Sequence, residues 1–125
     1  MIQATELRIG NWVNIPECGI NAVIDIIGAK KVCIDTTRVD LDDNAGCFMC
    51  ESLNPIPLTP EILEKAGMKG DEILFDGSLR CIEMIKGNDA FIVHYIKKNQ
   101  PNVKHLHQFQ NLYFALTGTE LDIKL

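Results

Sequence analysis

The chain is poor in aromatic residues, which make up 6% of its 125 residues and include one tryptophan, so its core must be largely aliphatic. It also lacks long apolar runs. Uninterrupted stretches such as Ala22-Val23-Ile24 and Ile26-Ile27 are a few residues long, whereas a membrane span needs about 20. Positive charge is in short supply: 12 basic residues against 17 acidic ones give a net charge of −5. That balance disfavours a protein whose affinity comes from neutralising many phosphates along a duplex. The segment Met1-Ile2-Gln3-Ala4-Thr5-Glu6 has neither a basic start nor an apolar h-region. With the odd cysteine set Cys18, Cys33, Cys47, Cys50 and Cys81, this predicts a reduced, cytoplasmic protein with free thiols.

What is present is ordinary globular composition, 46% hydrophobic and 23% charged, at a length typical of one compact domain or two small lobes. The first part reads as strands over 7–15, 22–27 and 31–35, with a tight turn at Gly28-Ala29 and a further segment, 47–53, pairing back. Short antiparallel strands closed on one another predict a small SH3-like β-barrel over residues 1–58. Asn54-Pro55-Ile56-Pro57-Leu58 is a stiff connector, because two prolines fix φ and withhold amide donors. Thr59 then caps a short helix with Pro60 in its first turn and Gly67 at its stop. Segments 72–75, 79–86 and 90–97 form a second antiparallel sheet. A helix capped by Asn102 reaches Thr117, with Gly118 as its left-handed stop, and 121–125 returns as a last strand. The fold class is α+β, with residues 59–125 forming the second lobe or joining the first in one compact unit.

The last helix stands out. At 100° per residue, Leu106, Phe109, Leu112, Tyr113 and Leu116 make an ordinary apolar face. The remainder of 105–119 contains no Asp, Glu, Lys or Arg. His107, Gln110, Asn111 and Phe114 recur there at i, i+3, i+4 and i+7. Such a stripe is covered by something: a partner or ligand that exchanges hydrogen bonds with it, or the protein's own second lobe.

Leu7-Arg8-Ile9-Gly10-Asn11-Trp12-Val13, Leu53-Asn54-Pro55-Ile56-Pro57-Leu58-Thr59-Pro60 and the string His107-Gln108-Phe109-Gln110-Asn111-Leu112-Tyr113-Phe114-Ala115-Leu116-Thr117-Gly118 together resemble a family of small uncharacterised proteins of anaerobic gut bacteria and their phages or prophages. The family has Leu where Phe109 stands. The resemblance implies a cytoplasmic protein of mobile-element type, and it supplies no catalytic residues.

Cys47-Phe48-Met49-Cys50 is a CxxC, the spacing with which one turn presents two thiolates to a tetrahedral metal. It lacks a second ligand pair. His105 and His107, two residues apart on a helix, would point about 200° from each other, which leaves Cys33 and Cys81 as alternatives. No nucleophile elbow, Walker loop, HExxH or paired-carboxylate motif occurs. Asp40, Asp42 and Asp43 lack the ordered calcium-loop pattern and read as a solvated turn, and His94 reads as a strand histidine. No cofactor and no catalytic residue is expected.

The leading reading is therefore a noncatalytic module that binds a protein partner or itself through His107, Gln110, Asn111 and Phe114 or through a strand edge. The alternative is a nucleic-acid accessory protein using Lys97, Lys98 and Lys104, with Trp12 as a stacking platform. A small metal-binding protein held by Cys47 and Cys50, or an enzyme, is the third.

Overall fold

The computed structural model describes residues 2–35, 46–68, 72–75, 80–86, 91–95 and 98–125, in the strands after residue 72 mainly as backbone. The fold is α+β, and the chain divides into two compact units, Met1–Ile56 and Pro57–Leu125.

The first unit is a four-stranded antiparallel sheet in chain order, β1 (Trp12–Ile15), β2 (Ile20–Ile27), β3 (Lys31–Ile34) and β4 (Cys47–Met49). Its core gathers Val13, Ile15, Ala22, Ile24, Val32, Ile34, Phe48 and Leu53, the aliphatic interior that scarce aromatics require. Past β4 a 3-10 turn, Cys50–Ser52, leads to Asn54. Its N–H and C=O exchange two 2.9 Å hydrogen bonds with Asn14 on the free edge of β1. The segment expected to pair back over 47–53 is thus a three-residue strand followed by a turn. The β2–β3 connection closes as expected, with Gly28 N–H donating to Lys31 O at 2.7 Å.

One irregularity sets which side chains face outward. Ile24 pairs with Ile34 but Ile26 pairs with Cys33, so Asp25 is an extra residue on β2. Two-residue alternation would send Ile26 to the same face as buried Ile24. The bulge reverses that, and Ile26 stands 58% exposed on the outer face beside Cys33.

The first strand is shorter than the sequence suggests. Ala4–Glu6 forms a 3-10 turn, and the chain bends at Arg8–Asn11 before β1 begins at Trp12. The cause is Asn11, buried at 1% exposure. Its Oδ1 accepts from Arg8 N–H at 2.7 Å, its own N–H donates to Arg8 O and its C=O accepts from Ile24 N–H. A side chain that completes the turn wins over strand propensity. Asn11→Ala leaves the Arg8 amide without this acceptor and is expected to cost about 1–3 kcal/mol. The shift is readable in urea unfolding followed by fluorescence of Trp12, the sole tryptophan.

In the second unit α1 spans Pro60–Lys65, and Thr59 Oγ1 accepts from Ile62 N–H at 3.2 Å. The second sheet is the meander β5 (Glu72–Phe75), β6 (Arg80–Lys86), β7 (Phe91–Tyr95) and β8 (Lys98–Val103). The fourth strand corrects the expected helix from Asn102: residues 98–103 pair with β7, and α2 runs Leu106–Thr117. Pro101 is tolerated because β8 is an edge strand whose register with β7 shifts between Phe91 and Val93. The helix starts where a polar side chain can hold its first turn. Gln108 Oε1 accepts from the N–H groups of Lys104 (2.9 Å) and His105 (3.1 Å). Its end matches the sequence: Gly118 is left-handed at φ 73° and donates to Phe114 O. Beyond it, 121–125 is not a strand; Leu121 and Ile123 are buried in irregular chain.

Candidate functional site

The helix singled out by its lack of ions carries a different burial pattern from the one an apolar wheel predicts. Leu106, Phe109 and Tyr113 are buried, while Leu112 and Leu116 are only half-buried. His107 and Gln110 are buried at 0% and 2% exposure. The covered face is thus centred near Leu106, Gln110 and Tyr113, rotated toward the amides. A wheel that weighs only apolar residues misses this, because it counts a buried glutamine as polar surface.

The stripe divides along its length. His107 and Gln110, in its first turns, are inside; Asn111 is half-buried; Phe114 is 38% exposed. Each of the four takes part in a polar, ring or electrostatic contact. Uncharged hydrogen-bonding groups suit such burial, since an ionised side chain there would carry a far larger desolvation cost. The open part lies at the C-terminal half of α2, where Phe114 and the exposed Ala115 are adjacent.

His105 and His107 do not behave as two residues of one helix. His105 is the N-cap, extended at φ −125° and ψ 152°, so the 200° separation does not apply. The two rings lie parallel, centroids 5.9 Å apart and 6° between planes. Among the described residues no group of three or more His, Cys, Asp or Glu side chains assembles into a metal site.

The CxxC pair does not converge. Cys47 and Cys50 lie three apart along extended chain, and the alternation of faces separates them: Cys47 is exposed, Cys50 sits in the core of the first unit. Cys47 is instead bonded to Cys33, which corrects the expectation of free thiols throughout. Cys18 and Cys50 are free. An open cleft of about 430 Å³ in the same unit is lined by Ile2, Ala29, Lys30, Met49, Cys50 and Glu51 among others. It joins none of the other candidate residues.

The basic set fares no better as a surface. Trp12 is 6% exposed, so its indole offers no open stacking face. Lys104 is exposed and Lys98 lies in β8. Lys97, like Asp40, Asp42 and Asp43, falls outside the described residues. His94 pairs in register with Glu83 on β6 and Asn99 on β8. No described helix is long and apolar enough to cross a membrane.

Burial pushes the Tyr113 phenol above its ordinary value of 10.0. The fold favours the neutral form, so this contribution is intact below pH 10 and declines as the pH rises past the unfolded phenol's pKa. Replacing Tyr113 by Phe removes a titrating group and is expected to flatten the alkaline limb of stability. An ultraviolet titration checks the assignment, because the variant retains only Tyr95 as a phenol.

No protein-family model, no curated protein and no solved structure matches the chain.

Proposed function

We propose that this chain is a noncatalytic interaction module that associates with a protein partner or a second copy of itself through the C-terminal half of α2. The observation that carries the reading is Phe114, 38% exposed on a fifteen-residue stretch, 105–119, that contains no Asp, Glu, Lys or Arg. A solvated helix face ordinarily carries ions for solubility. An aromatic ring at such a face is the residue type that anchors protein contacts, with half-buried Asn111 beside it as a hydrogen-bonding rim.

The supporting frame is an SH3-like barrel in the first unit. In its favour are the four strands in chain order, the 3-10 turn after β4 and the Asn14–Asn54 bridge that brings the chain back to β1. A cytoplasmic location and membership of a mobile-element group complete the proposal on the strength of the sequence motifs.

The experiment uses Phe114→Ser and Asn111→Ala, since Gln110 and His107 are too buried to test association without disturbing the fold. Sedimentation velocity over a concentration series, with pull-down from a lysate beside it, is expected to show association of the wild type. Phe114→Ser should weaken it by roughly thirtyfold, the effect of losing an aromatic anchor, with unchanged circular dichroism. A wild type that stays monomeric and retains nothing that the variant loses ends the proposal.

A further inference from the structure

The outer face of the first sheet holds a chemical group that the proposed function does not use. β3 and β4 are antiparallel, with Val32 opposite Phe48 and Cys33 opposite Cys47. Ile34 N–H bonds Gly46 O and Cys50 N–H bonds Lys30 O, each at 2.8 Å. These bonds identify 34/46 and 30/50 as hydrogen-bonded pairs, and alternation makes 33/47 a non-hydrogen-bonded pair, the type with the closest approach of side chains. The two Cα atoms are 4.0 Å apart and the sulfurs are joined.

Three features distinguish this bond from a buried staple. It lies on the face away from the core, since Val32, Ile34 and Phe48 point inward. Its two residues differ in exposure: Cys47 is exposed and Cys33 half-buried. The neighbour of Cys33 on β2 is Ile26, 58% exposed, so the outer face beside Cys33 is open and not covered by a core layer. Backbone hydrogen bonds on either side hold the two residues opposite each other without help from the disulfide. Opening the bond therefore leaves both thiols within reach of re-forming it.

We infer that Cys33 and Cys47 form a reversible thiol–disulfide exchange site, opened by small-molecule thiols that attack Cys47. A thiolate forms a bond to Cys47 Sγ as the Cys33–Cys47 bond breaks, and the electron pair leaves on Cys33 Sγ, which takes a proton. A second thiol attacks the mixed disulfide and releases Cys47 as a thiol. The net exchange passes two electrons and two protons to the pair and leaves the reagent as its own disulfide. Cys50, turned into the core, takes no part.

The test uses the full chain in reduced and oxidised glutathione buffers, with free thiols trapped by alkylation under native conditions and located by peptide mass. Cys33 and Cys47 are expected to become alkylatable without loss of the folded circular dichroism, while Cys50 stays protected. Transfer to oxidised glutathione should restore the bond at a rate independent of protein concentration. In single variants, Cys33→Ser should take up glutathione at Cys47 roughly tenfold faster than Cys47→Ser does at Cys33, following access. Reduction only at denaturant concentrations that unfold the chain, or two thiols that stay free in oxidised glutathione, overturns the inference. Both outcomes are read on the wild type, so poor folding of a variant does not blunt the test.

Discussion

Phe109→Ala is expected to lower the unfolding free energy by about 3–5 kcal/mol, whereas Phe114→Ala on the same helix should cost about 1 kcal/mol or less. The two residues are identical in chemistry and five positions apart, so helix propensity cancels from the comparison. Burial separates them: Phe109 has no exposed surface and Phe114 is 38% exposed. Phe109 also meets Tyr113 edge to face, with centroids 6.3 Å apart and planes at 75°. Truncation loses this geometry together with the transferred apolar area. The chain provides its own assignment of where the loss falls. Trp12 belongs to the first unit, while Tyr95 and Tyr113 both belong to the second. Urea unfolding followed by tyrosine second-derivative absorbance should therefore register the Phe109→Ala shift. A loss below about 1 kcal/mol would mean that α2 is not anchored as its burial implies, and the proposed exposed face would lose its frame.

How far the sequence revealed this architecture depended on how local each signal was. Helix α1 was legible in full, because the Thr59 hydroxyl, Pro60 and Gly67 act within their own turns. The Gly28 turn was legible for the same reason. The start of α2 was not: Asn102 has the chemistry of a cap, but β7 offers residues 98–103 a ladder, and a strand partner outweighs a local preference. What a CxxC can do depends on its context. On a tight turn it presents two thiolates together, while on extended chain the same spacing sends them to opposite faces. Cys33 as the partner of Cys47 depends on the β3–β4 register, which a separation of fourteen residues does not encode. Asn11 lies within the segment Leu7–Val13, yet its role appears only when the Arg8 amide is placed beside it. The stripe on α2 was legible as unusual. Which of its members turn inward was not, since the answer lies in what the rest of the unit leaves room for.

The Cys33→Ser/Cys47→Ser double variant is expected to lose about 3 kcal/mol, the loop-closure contribution of a cross-link enclosing roughly fifteen residues. The loss arises mainly in the unfolded chain, which becomes less constrained once the bond is absent. Two signatures follow from that origin. The urea slope should rise, because a more expanded unfolded state exposes more surface, and the shift should appear in the fluorescence of Trp12, in the same unit as the bond. Dithiothreitol should move the wild type onto the curve of the double variant and leave the variant unmoved. The size of the effect also decides what kind of bond this is. Domains are commonly stable by about 5–15 kcal/mol, so a loss of about 3 leaves a folded protein whose β3–β4 hydrogen bonds still hold the two positions opposite each other. A double variant that is unfolded without denaturant would show instead that the ladder needs the cross-link, making the bond a structural staple with no folded reduced form to exchange with.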